Sequence, residues 1–158
     1  MTRRFKIVGL GGSFDQLHRG HRALLMKAFS SGDLVLIGLC TDKFANELRK
    51  NHETASYEER EKELTSFLQR KGLRDRAKII PLDDAHGPAV TSADQEAIVV
   101  SQETEPIARE INTVRKRNGL QPLKVIVISM VPAENHVPIS TTRIRHGEID
   151  REGRLLMK

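Results

Sequence analysis

Apolar, β-branched runs alternate along the chain with segments whose apolar side chains recur every three or four residues. Phe5 to Leu10 reads as a strand that opens into a glycine-rich loop, and from about Arg19 to Ser30 the pattern is that of an amphipathic helix. Leu34 to Leu39 is almost continuously apolar, as suits a strand covered on both faces. Ser56-Tyr57-Glu58-Glu59 has the S-x-x-E form of a capping box and opens a helix carrying Tyr57, Leu64, Phe67 and Leu68, which Gly72 ends. Ala77 to Leu82 gives a third strand and Ala97 to Val100 a short fourth. A helix from about Thr104 to Asn118 aligns Ile107, Ile111 and Val114, and Gly119 stands ready to stop it. Leu123 to Val131 reads as the fifth strand, and Ser140 caps a final short helix closed by Gly147.

No Asn-Gly or Asp-Gly hairpin joins adjacent apolar runs, so the strands must connect through right-handed crossovers. The predicted fold is α/β: a Rossmann-like, doubly wound, five-stranded parallel sheet forming a single domain over residues 1–158. In such sheets ligands sit at the carboxyl ends of the strands, where strand order reverses. That directs attention to the loop after the first strand.

Composition narrows the class. The chain has 158 residues, one domain's worth, with 38% hydrophobic and 30% charged, which suits a globular protein and argues against wholesale disorder. Its 26 basic and 21 acidic residues give a net charge of +5, a mild bias towards phosphorylated partners that does not demand nucleic acid. No apolar run approaches the ~20 residues of a membrane span. The basic start runs into the first strand with no apolar leader, and Cys40 is the only cysteine, so the expectations are no membrane, no disulfide framework and a cytoplasmic location. Cys40 itself reads as a small buried hydrophobe at a strand end.

The loop Gly11-Gly12-Ser13-Phe14-Asp15-Gln16-Leu17-His18-Arg19-Gly20-His21 carries the chemistry. Gly11 and Gly12 let the backbone approach a ligand where a Cβ would collide. His18 and His21, three apart at a helix start, share one face, and Gly20 between them reads as an open patch. Unpaired N–H groups of the first turn and the helix dipole favour an anion. Two imidazoles on such a helix end read as a phosphate cradle able to take up further positive charge. A zinc site is disfavoured, because no third protein ligand stands near.

These residues resemble the nucleotidyltransferase superfamily marked by (His/Thr)-x-Gly-His, here His18-Arg19-Gly20-His21. A second mark, Ile-Ser-Ser-Thr-x-x-Arg, is matched by Ile139-Ser140-Thr141-Thr142-Arg143-Ile144-Arg145, about 120 residues on. Tyr57-Glu58-Glu59-Arg60, Asp83-Asp84-Ala85-His86-Gly87-Pro88, Ala97 to Thr104 and Gly147-Glu148-Ile149-Asp150 resemble the archaeal and eukaryotic phosphopantetheine adenylyltransferases, from Lys6 to about Gly153.

The resemblance implies transfer of the adenylyl group of ATP to 4′-phosphopantetheine, giving dephospho-coenzyme A and pyrophosphate, with Mg²⁺ on the triphosphate and no covalent enzyme intermediate. It implies that His21 contacts the α-phosphate and that His18 helps hold the phosphates. ATP-binding roles fall to Gly12, Ser13, Phe14, Ser140, Thr141, Thr142 and Arg145, and Arg145 also joins the catalytic set. Ser13 is also placed to bind the acceptor phosphate. A family lysine after the second strand maps to Lys50 by the bacterial spacing or to Lys43 by proximity to the strand, with Lys50 favoured. Arg143 is either a further phosphate ligand or a helix-face ion pair. The metal's protein ligands are not readable, and the branch implies a monomer.

The chain departs from the family pattern in places. Ser13 and Thr141 replace a threonine and a serine with hydroxyls kept, whereas His86 stands where the branch has an aromatic and Ala85 where it has a proline. Two other readings stay open. One is the same fold acting on another phosphate acceptor, such as nicotinamide mononucleotide or flavin mononucleotide. The other is a non-catalytic nucleotide- or RNA-binding module, which the lack of tryptophan and the single tyrosine disfavour. Arg115-Lys116-Arg117 reads as a cationic helix end, Asn112 and Arg115 as helix-surface residues, and Asp83-Asp84 as a solvated acidic pair.

Overall fold

The structure is a computed structural model that describes residues 4–48 and 54–156. Five strands, β1 (Phe5–Gly12), β2 (Gly32–Cys40), β3 (Ala77–Leu82), β4 (Ala97–Ser101) and β5 (Lys124–Ile128), form one sheet in the order β3-β2-β1-β4-β5. Every pairing is parallel. Strand order therefore reverses between β1 and β4, as the doubly wound reading requires.

The helices are α1 (Arg19–Ser31), α2 (Asp42–Leu48), α3 (Tyr57–Arg70), α4 (Glu105–Arg117) and α5 (Thr141–Arg145). The two-residue alternation of the strands sorts the core into two layers. Val8, Leu10, Val35, Ile37, Leu39, Ala97 and Val99 face α1 and α3, meeting Leu25, Ala28 and Phe29 from one and Leu64, Phe67 and Leu68 from the other. On the opposite face Ile98 and Val100 pack against Ala108 and Ile111 of α4. Cys40 and Leu82 pack there against Phe44 and Ala45 of α2. Each large side chain sealed in this way contributes about 1.5–3 kcal/mol.

The elements depart from the sequence reading in places: β1 runs on to Gly12 and β2 spans Gly32–Cys40. β5 stops at Ile128 rather than Val131, because residues beyond it leave the sheet for a loop whose Pro132 and Pro138 form an isolated antiparallel bridge. The short helix α2 has no counterpart in the sequence reading. Its seven residues bury only Phe44 and Ala45, too few to print a helical period.

Candidate active site

The loop after β1 is held in an uncommon backbone shape. Phe14 and Gln16 have φ values of 51° and 54°, in the left-handed region that costs a non-glycine residue about 1–3 kcal/mol. Long-range bonds compensate. Arg60 Nη1 donates to the Ser13 carbonyl at 2.9 Å, Thr141 Oγ1 donates to the Asp15 carbonyl at 2.9 Å, and Glu63 accepts from Leu17 N at 2.9 Å. Phe14 is 2% exposed, with its ring 5.3 Å from that of His21, so it supports the histidine from the core side.

The start of α1 corrects part of the sequence reading. His18 is the N-cap: its Nδ1 accepts from Gly20 N at 3.0 Å and from His21 N at 3.3 Å. His21 Nδ1 in turn accepts from His18 N at 3.2 Å, and Arg19 N donates to the Arg151 carbonyl at 2.9 Å. The first-turn N–H groups are therefore spent within the protein and do not form an open anion site. Gly20 leaves no open patch either. A Cβ there would lie 2.8 Å from His18 Cε1, so the missing side chain is what lets the ring fold over the helix end.

The imidazoles are also not poised to gain charge. Burial, then the Arg22 and Arg151 guanidiniums, lower His18 from 6.5 to about 4 against an opposing pull from Asp15. Burial, then His18, Arg22 and Arg151, hold His21 well below the ordinary histidine value. The hydrogen bonds give the same answer, since each Nδ1 faces N–H donors and cannot carry a proton of its own while the cap stands. The tautomer assigned from those bonds has Nε2–H on both rings, which stack with centroids 3.7 Å apart. What the pair offers a phosphate is two neutral, fixed N–H donors.

The other end of the chain meets this loop at Asp15, a carboxylate 1% exposed. Arg145 grips it with both prongs, Nε to Oδ2 at 2.8 Å and Nη2 to Oδ1 at 2.9 Å, while Oδ1 also accepts Ala55 N at 3.0 Å. Ser140 caps α5 by accepting Arg143 N at 3.2 Å, and Thr142 is half-buried in its first turn. Arg143 is an ion-pair residue: it donates to Glu148 and to the carbonyls of Val137 and Pro138. Lys43 is exposed on α2, next to Asp42. Lys50, the favoured lysine, lies outside the described residues.

Two buried arginines escaped the sequence reading. Arg60, 2% exposed, donates to the carbonyls of Ser13, Cys40 and Ala55 and to the Asp42 carboxylate at 2.8–3.1 Å, tying the loop after β1, the end of β2 and the start of α2 to α3. Arg115, read as a surface residue, is 1% exposed and donates to the carbonyls of Ala89, Ser92 and Gln121. Asn112, likewise read as exposed, bonds both backbone groups of Leu123 and pins α4 to β5. Asp84 is a turn residue, accepting from His86 N and Gly87 N. Arg151 was also missed. It donates to Glu63 at 2.7 Å and to Gln16 at 3.3 Å, closing the C-terminal segment over the loop.

Beside the loop, on the α2/α4 face, lies a cavity of about 170 Å³. Gly9 and Gly11 of β1 and Gly38 of β2 line it, and Gly11 pairs directly with Gly38 across the sheet. Three side chains are thus missing from one patch of the sheet, between the short α2 and α4. The walls are mainly apolar, among them Phe44, Leu82, Ile107 and Ile111, and Gly12, the last residue of β1 before the loop, lines it too. His86 lies at the rim with Nε2 3.4 Å from Glu110. Burial raises the thiol of Cys40, another wall residue, to about 11, leaving it un-ionised at neutral pH. Among the described residues no group of three or more His, Cys, Asp or Glu is placed to hold a metal ion. No helix there is long and apolar enough to cross a membrane.

Comparison with known proteins adds three findings. The cytidylyltransferase-like family matches residues 10–147. A phosphopantetheine adenylyltransferase of Methanothermobacter thermautotrophicus is 44% identical over 158 residues, covering 100% of this chain and 94% of its own, and one of Methanopyrus kandleri is 44% identical over 93% of this chain and 92% of its own. A crystal structure of an Archaeoglobus fulgidus protein of unknown function superposes with a TM-score of 0.70 at 25% identity, covering 84% of this chain and 98% of its own.

Proposed function

The chain belongs to the cytidylyltransferase-like family and, at 44% identity along its whole length, to the phosphopantetheine adenylyltransferases within it; from that premise we infer that it joins ATP to 4′-phosphopantetheine. The products are dephospho-coenzyme A and pyrophosphate, a step of coenzyme A biosynthesis. The observation that carries the choice of acceptor is the mostly apolar cavity that Gly12 helps to line, at the start of the loop leading to the histidine pair. A phosphate on a long, weakly polar arm fits that pairing of a polar loop with an apolar slot. A second charged nucleotide would leave its ribose and base against Ile107, Ile111 and Leu82, at the cost of desolvating them unpaired.

In this reading a phosphate oxygen of the acceptor attacks the α-phosphorus of ATP in line. The new P–O bond forms as the bond to the bridging oxygen breaks, and pyrophosphate leaves with that electron pair. No protein nucleophile is needed, so the chain's work is positioning and charge stabilisation. His21 donates its Nε2–H to the α-phosphate, where charge grows in the transition state, and His18 donates to a neighbouring phosphate oxygen. Ser13 and the Gly12 backbone receive the acceptor phosphate. Thr142 and Arg145 serve the β- and γ-phosphates, with Ser140 and Thr141 shaping that end. Lys43 or Lys50 supplies positive charge to the reacting phosphates. Mg²⁺ enters as part of the nucleotide substrate and neutralises the triphosphate. The resemblance to the archaeal and eukaryotic branch supports action as a monomer, and the single buried thiol accords with the cytoplasm.

Pyrophosphate release with ATP and Mg²⁺ against a panel of acceptors tests the reading. We expect release with 4′-phosphopantetheine and none with nicotinamide mononucleotide or flavin mononucleotide; the reverse pattern would reassign the acceptor, and silence with every acceptor would remove the enzyme reading.

A further inference from the structure

The cavity ends on a polar side chain, and we propose that this group, Gln95, reads the far amide of the acceptor's arm; the proposal rests on the acceptor assigned above. Gln95 is 4% exposed and lies over Gly9, where a Cβ would sit 2.3 Å from its Nε2. Glycine at position 9 is thus what admits the amide to the cavity floor. Gln95 Nε2 donates to the Ala97 carbonyl at 3.0 Å, which settles which end of the amide is nitrogen. Its Oε1 has no donor among the described residues. No described side-chain nitrogen or oxygen that is sealed from solvent lacks a partner, so Oε1 opens into the cavity that Gln95 lines.

The amide is also held still. Arg115 donates to the carbonyls of Ala89 and Ser92, both at 2.7 Å, and reaches the Gln95 carbonyl at 3.5 Å, so the segment carrying Gln95 is fixed to α4 before any ligand arrives. An unused acceptor at the inner end of an apolar slot calls for a ligand that is apolar along its length and carries an N–H near its tip.

Length agrees. Gly12 and Gly9 are three residues apart on β1, roughly 10 Å at ~3.3 Å per residue. In phosphopantetheine about ten bonds separate phosphorus from the distal amide nitrogen, ~12 Å when extended at ~3.5 Å per three bonds. With the phosphate at the Gly12–Phe14 loop, the distal N–H reaches Gln95 Oε1. Gln95 then selects the arm and takes no part at the reacting atoms.

The test uses the full chain and two acceptors, 4′-phosphopantetheine and its analogue with an ester oxygen replacing the distal amide N–H. On the unaltered protein the analogue should raise the acceptor KM roughly three- to tenfold, the scale of one neutral hydrogen bond, with kcat and the KM for ATP unchanged. Gln95→Met, which keeps the volume and removes the amide, should show that same loss with the natural acceptor and no further loss with the ester. Equal KM values for the two acceptors on the unaltered protein overturn the proposal without needing the variant, and so does a Gln95→Met protein that still discriminates. No turnover of phosphopantetheine by the unaltered protein is a different failure, which takes down the acceptor reading and this proposal with it.

Discussion

Protonation of His18 should be visible as a loss of stability in mild acid. In the folded chain burial, with the residue 6% exposed, and then Arg22 and Arg151 lower His18 from 6.5 to about 4, and its Nδ1 is occupied as acceptor by two backbone N–H groups. Between those two pH values the unfolded chain binds a proton that the folded chain does not, so stability falls as pH drops from 6.5 to 4. Above 6.5 and below 4 His18 adds no further slope. At ~1.4 kcal/mol per unit the shift amounts to about 3 kcal/mol, and His21, lowered in the same direction, adds to it. The assay is urea unfolding at half-unit pH steps from 7 to 4, on the parent and on His18→Asn, which retains a side chain suited to an N-cap and cannot titrate there. The parent should lose about 3 kcal/mol more than the variant across that window. Parallel profiles would refute the buried, neutral cap, and so would a ring NMR titration of His18 centred near 6.5.

Three further substitutions test the site. Arg60→Met strands three carbonyls, that of Cys40 buried and those of Ser13 and Ala55 partly so, and should cost about 3–5 kcal/mol, or roughly 6–20 °C in melting temperature, whereas Asp42→Asn at its largely exposed partner should cost under about 1 kcal/mol; equal losses from the two by calorimetry would contradict the clamp. His21→Ala should slow pyrophosphate release by roughly a hundredfold or more with a smaller change in the KM for ATP, as loss of one transition-state donor predicts, and an unchanged rate would take His21 out of the mechanism.

Much of this architecture could be read before any coordinates. The strand Ala77–Leu82 and the helix starting at Tyr57 fall where the apolar pattern puts them, because each is a local choice of period, cap and turn residue. The two buried arginines were legible too, had position been weighed over residue type. Arg60 stands on the same helical stripe as Leu64 and Phe67, and Arg115 on that of Ala108 and Ile111. A guanidinium at a core position must be surrounded by acceptors, and here the acceptors are loop carbonyls.

The sequence by itself determined the order of elements, the parallel sheet, the loop that carries the chemistry and the family whose motifs it bears. Tertiary structure decided the rest, because the rest depends on partners distant along the chain. Whether the histidines are charged is set by desolvation and by Arg151, about 130 residues away. Whether the helix end is open is set by the Arg151 carbonyl and the fold of the His18 ring over Gly20. The cavity's floor takes its shape because strand register lays Gly11 against Gly38 with Gly9 on the same face, where Leu82 and Gln95 can pack against bare backbone, an alignment no local pattern records.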